Sequence, residues 1–326
     1  MKMDRVKLCP FFLTAQSNRK WFDNPIERVI LFCSLVCGKV VLALGTRAQA
    51  VIFWHGRKRS TLMSNSTLVS VEWLQAHLDD AAVRVLDVRV ADPRLPMGYR
   101  AAHVPGALPF DLNRDMYEMT PGGPRLQTPD AIAAFLSACG IANASTIALY
   151  DENIGPLVGS AYWLLKYLGH ADVRVLNGGW HAWTRAQAPT TQAIPQRAPT
   201  AYRVELDETQ HSVAAWIQEH CARADLVLLD TRMDNEYRMG HLPGAVNLAF
   251  DAALNFETQT LKDETLLRAQ FEKVGATADK EIVVYCRSGA RSAHTFMVLQ
   301  ALGYPRVRNY KGSMLDWADR RGLPLE

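Results

Sequence analysis

No two cysteines in this chain are spaced to share a metal ion. The six, Cys9, Cys33, Cys37, Cys139, Cys221 and Cys286, include no Cys-x-x-Cys, and Cys33 and Cys37 stand one residue too far apart for one. A structural zinc site is therefore not expected, nor is any other metal or cofactor. The scatter also argues against a disulfide framework and for a reducing, cytoplasmic setting. Strong charge is missing as well. Lys and Arg number 36 against 33 Asp and Glu, a net charge of +3, and no basic stretch carries interleaved aromatics. A nucleic-acid surface is thereby excluded. Nor is there a long unbroken apolar run. "VILFCSLVCGKVVLALG" is interrupted by Lys39 and is short for a bilayer. Asp23 and Glu27 precede it, which does not suit a secretory signal. Residues 1–63 are set apart as an N-terminal extension, either an over-extended gene start or a real segment that is weakly ordered or touches a membrane.

What is present is a repeat. "VRVLDVRVADPRLPMGYRAAHVPGA" (83–107) corresponds to "LVLLDTRMDNEYRMGHLPGA" (226–245), each an apolar run, Asp-x-Arg, a loop and His-x-Pro-Gly-Ala. "TIALYD" (146–151) matches "EIVVYC" (281–286), and "GHADVRVLNGGWHAW" (169–183) matches "GYPRVRNYKGSMLDW" (303–317) at nearly the same offset. Three ordered matches at near-constant spacing identify a tandem duplication. In each copy short β-branched runs alternate with helical stretches such as "SVEWLQAHLDD", "TPDAIAAFLSACG" and "SAHTFMVLQALG". This pattern predicts an α/β fold with a central parallel sheet flanked by helices in each copy. The expected organisation is a first domain over 64–187, a proline-rich linker without acidic residues over 188–203, and a second domain over 204–326.

The repeat acts as an internal control: residues present in both copies belong to the scaffold, and residues unique to one are candidates for chemistry. Asp87 and Asp230, His103 and His241, and Trp183 and Trp317 are shared, so Asp230 and His241 are assigned structural roles. Cys286 is unshared; Asp151 stands in its place. It lies at the carboxyl end of a predicted strand, before a predicted helix, where open α/β sheets place ligands. The loop "CRSGAR" supplies Arg287, Ser288, Gly289, Ala290 and Arg291. Backbone N–H groups converging at such a turn, with arginines nearby, lower a thiol pKa and populate the thiolate. Asp151 in the first copy is no sulfur nucleophile and repels anions, so that copy is expected to be inactive.

The combination "LLDTR…GHLPGA…VVYCRSGARS…GY…W" resembles a tandem-domain rhodanese-type sulfurtransferase, over residues 65–326. The resemblance implies a persulfide mechanism. The Cys286 thiolate takes the outer sulfur of a small anionic donor, and cyanide, a thiol or a thioredoxin-like reductant carries it off. It also implies that Arg232 is a substrate arginine, with Arg287 to Arg291 lining the site, and that the protein is a monomer. The loop matches neither the Cys-Arg-Lys-Gly of thiosulfate-using members nor the Cys-Gly-Ser-Gly of mercaptopyruvate-using ones. Three arginines around a small thiolate favour a compact dianion, so thiosulfate is expected, with 3-mercaptopyruvate as the alternative. A cysteine phosphatase is disfavoured, because four residues rather than five separate Cys286 from Arg291. A non-catalytic sulfur-relay or scaffold role remains a separate reading.

Overall fold

The computed structural model describes residues 32–36, 39–43, 67–91, 98–120 and 123–326. Of the N-terminal extension it describes one antiparallel hairpin, Phe32–Val36 with Lys39–Ala43. The rest of the extension lies outside the described residues. Among the described residues no helix is long and apolar enough to cross a membrane. The remainder, Ser60–Glu326, forms one compact unit.

Both repeats build the same parallel sheet. In the first, the order is Leu68–Val69, Val173–Leu176, Thr146–Tyr150, Val83–Asp87, Leu108–Pro109. In the second it is Val307–Asn309, Glu281–Tyr285, Leu226–Asp230, Val246–Asn247, with His211 bridging Asn309 in place of the outermost strand. The central strands read as continuous apolar runs because helices cover both faces; every residue of Glu281–Tyr285 is buried. Helix boundaries follow local chemistry. Thr128 caps Pro129–Ala138 by accepting from the Ala131 N–H at 3.3 Å, with proline in the first turn. Gly140 and Gly303, just past two helix ends, take left-handed backbones at φ +67° and +78°.

The two repeats share their largest core. One continuous apolar cluster runs from Leu68, Ile147 and Leu164 in the first repeat to Ile282, Phe296 and Val307 in the second. Each sheet keeps a smaller private cluster on its other face, around Trp183 in one case and Trp317 in the other. The seam is the contact between helix Pro156–Tyr167 and helix Ala290–Ala301. Gly159 permits it: a Cβ there would lie 2.5 Å from the Cα of His294. Residues 188–203 contain no helix or strand, yet they are tied to the first repeat. Thr191 bridges His103, Thr200 Oγ1 donates to the Ile141 carbonyl, and Tyr202 N–H donates to Ser137 Oγ. The segment is a strap rather than a free tether.

Candidate active site

Strand Glu281–Tyr285 ends directly at Cys286, and the chain turns through Arg287, Ser288 and Gly289 into helix Ala290–Ala301. The turn requires glycine twice over. Gly289 has φ +86°, and a Cβ there would lie 2.5 Å from the Lys311 carbonyl oxygen. Its N–H points back at Cys286 Sγ from 3.1 Å. Burial pushes the Cys286 thiol up, but the N–H groups of Ser292, Ser288 and Gly289 outweigh it, and the pKa falls below the ordinary thiol value.

Polar groups at and just past the end of the adjacent strand hold this loop in shape. Asn309, fully buried, accepts from Ser292 Oγ at 2.7 Å and donates to the Gly289 carbonyl at 3.3 Å. Ser313 Oγ accepts from the Cys286 N–H at 3.0 Å. In the first repeat the matching residues are Val175 and Gly179. Ser313 keeps the left-handed backbone of its glycine counterpart, φ +51° against +54°, a strained position for a side chain.

The first repeat preserves the loop and fills it. Ile154, opposite Gly289 in the alignment, also has a left-handed backbone, at φ +68°. Asp151 Oδ1 accepts from the Ile154 N–H at 2.6 Å, and Oδ2 accepts from Gly155 at 2.8 Å and Val158 at 3.2 Å. Burial raises the pKa of this carboxyl, and the N–H donors pull the other way. The side chain is thus a built-in occupant of the N–H cradle. The expectation that it repels an anion is sharpened: the place an anion would take is already full.

The residues expected at the site are not equivalent once placed. Arg232 is buried and gives Nε and Nη2 to Asp230, at 2.9 and 2.6 Å, and Nη2 also to the Gly240 carbonyl at 2.8 Å. Arg89 makes the same bonds to Asp87 and to the Ala102 carbonyl. By the repeat's own control Arg232 is framework, with only Nη1 free of hydrogen bonds among the described residues. Arg287 turns outward, half-exposed, and pairs with Asp319 at 2.6 Å. Arg291 faces both Cys286 and Glu236; its Nη2 donates to Glu236 Oε1 at 2.8 Å, and Arg291 holds the Glu236 carboxyl below its ordinary range. Each of the three arginines therefore meets a carboxylate. The inference of a dianion site from three arginines loses its footing, because their charge is balanced. Ser288 lies in the loop and is exposed, and Ala290 opens the helix that follows. His241 Nδ1 bonds the Tyr237 carbonyl at 3.1 Å and the ring stacks on Tyr237, while His103 does the same with Tyr99. Both rings pin their turns.

Sequence reasoning passed over Glu236, Asn309, Ser313 and Lys311. Lys311 Nζ donates to the Ser288 carbonyl at 3.0 Å, and its chain lies against Gly289. Its counterpart in the first repeat is Asn177, so the control that singled out Cys286 also marks this cation.

The rhodanese-like domain model matches residues 70–186 and 213–320, more than half of the chain. The chain belongs to the rhodanese family of sulfurtransferases. A Thermus thermophilus protein named sulfur carrier protein TtuD is 36% identical over 279 residues, covering 79% of this chain and 95% of that protein. A thiosulfate sulfurtransferase of Azotobacter vinelandii is 31% identical over 262 residues, covering 78% and 94%. Among solved structures, the 3-mercaptopyruvate sulfotransferase SseA of Escherichia coli superposes with a TM-score of 0.68 at 24% identity, over 76% of this chain and 99% of that one. That likeness is one of fold. Both repeats are rhodanese-like domains, and the second carries the cysteine loop.

Proposed function

We propose that this rhodanese-family protein moves a sulfane sulfur from thiosulfate to cyanide or a thiol through a persulfide on Cys286. One observation carries the reading. Cys286 Sγ receives the Gly289 N–H in the loop whose twin encloses a carboxylate, Asp151, with three N–H groups. A cradle that holds an anion in one repeat suits a thiolate, and then a persulfide, in the other. The chemistry balances without a proton. The thiolate attacks the outer sulfur of thiosulfate, a new S–S bond forms, the old one breaks, and its electron pair leaves with sulfite. The cysteine then carries –S–S⁻, whose terminal sulfur cyanide removes as thiocyanate, restoring the thiolate. No general base is needed, and the loop offers none.

Thiosulfate is preferred over 3-mercaptopyruvate because sulfite departs as a stable anion and because relatives near 31% identity bear the thiosulfate name. A reducing, cytoplasmic setting suits a thiol kept as thiolate, and we take the protein to be a monomer, with a thioredoxin-like reductant as one acceptor. A second reading is a sulfur relay to a partner protein. The balanced charge of Arg232, Arg287 and Arg291 and the relative named as a sulfur carrier favour it. Treating the protein with thiosulfate and measuring its intact mass tests the shared step: one added sulfur on wild type and none on Cys286→Ser is expected. Sulfur loading on the serine variant would refute the mechanism. Steady thiocyanate production then separates an enzyme from a relay, which loads once and stops.

A further inference from the structure

The balanced arginines leave the cysteine loop with one cation unaccounted for. Lys311 makes no ion pair with any carboxylate among the described residues; its Nζ bonds only the Ser288 carbonyl, at 3.0 Å. Its aliphatic chain is packed on the loop, since a Cβ at Gly289 would lie 2.6 Å from Lys311 Cδ. The backbone beside it is anchored as well: Ser313 Oγ accepts from Cys286 N–H and donates to the Tyr310 carbonyl. A lysine fixed at both its stem and its head costs little further entropy when it meets an anion. We propose that Lys311 supplies the surplus positive charge of the Cys286 site and positions the anionic end of the sulfur donor. This rests on the sulfurtransferase reading above. Burial pulls the Lys311 ammonium down, and the charge of Cys286 pulls it back up, so the two groups sense each other. In the transfer step the charge at the reacting centre moves from thiolate and thiosulfate to persulfide and sulfite. A fixed ammonium at the rim offsets the repulsion between the two reacting anions.

The test uses two alkylating agents of similar reactivity, anionic iodoacetate and neutral iodoacetamide, on the same preparation. Their rate ratio at Cys286 reports local charge and requires no turnover. Lys311→Met is expected to lower the iodoacetate-to-iodoacetamide ratio by on the order of tenfold, the effect of one unit charge at a partly buried site. It should raise the thiosulfate KM by a similar factor while kcat changes less. Lys311→Arg should restore most of both, because it returns the charge without the exact chain. Lys311→Gln, with thermal unfolding measured beside it, separates lost charge from lost folding. An unchanged ratio and KM in stably folded Met and Gln variants overturns the assignment. If wild type takes no sulfur from thiosulfate but the ratio still falls with Lys311→Met, the thiosulfate reading fails and the charge assignment stands.

Discussion

Asp151 offers the sharpest check on the relation between the two loops. Replacing it with alanine strands the N–H groups of Ile154, Gly155 and Val158, which it binds at 2.6, 2.8 and 3.2 Å in a fully buried setting. An orphaned buried donor costs about 1–3 kcal/mol. Removing a buried carboxylate returns a few kcal/mol of desolvation cost, so the net loss is expected near 3 kcal/mol. For a body of this size that lowers the melting temperature by about 5 °C. Thiocyanate formation per folded molecule, measured well below the transition, should stay within about twofold of wild type, because Cys286 and its loop belong to the other repeat. Urea unfolding and the thiocyanate assay on one preparation read both quantities. Unaltered stability would refute the cradle argument. Lost turnover with intact stability would place Asp151 in the chemistry and undo the division between working and silent copies.

Two further outcomes follow from the placed charges. Glu236→Gln releases Arg291 from its ion pair and should lower the thiosulfate KM several-fold; steady-state kinetics showing a higher KM would mean that Glu236 serves to orient the arginine. His294 is buried at the helix seam, and burial, only partly offset by the Ile154 backbone, holds its pKa at about 4. The unfolded imidazole takes its proton near 6.5, so between about pH 6.5 and 4 the unfolded chain binds more protons and stability falls as pH falls. The loss attributable to His294 approaches about 3 kcal/mol at the acid end, at 1.36 kcal/mol per unit. Urea midpoints of His294→Phe should be flatter over that window than those of wild type, and equal slopes would remove His294 as a cause.

Much of this molecule is legible in one dimension. The duplication, the parallel strands and the position of Cys286 at a strand end all follow from local pattern, because strand and helix periodicity are short-range properties. The difference between the two loops is legible too, since Asp151 stands where the second repeat has Cys286. The repeat even held the signals for Arg232 as framework and Lys311 as a candidate, since Arg89 is its twin in one case and Asn177 its mismatch in the other.

Which charges are free was decided only by folding. Arg291 meets Glu236 across 55 positions, Arg287 meets Asp319 across 32, and Asn309 reaches back 17 to hold Ser292. No spacing rule connects such partners; they meet because the parallel strands and the helix behind them bring their loops together at the carboxyl end of the sheet. The shared core has the same origin. Gly159 is an ordinary glycine until helix Ala290–Ala301 lies against it, with His294 where a side chain would have been. By itself, then, the sequence determined the fold and placed the unshared Cys286 at a strand end. The tertiary structure determined the charge around that cysteine, because net charge at a site is a sum over neighbours that the chain order does not reveal.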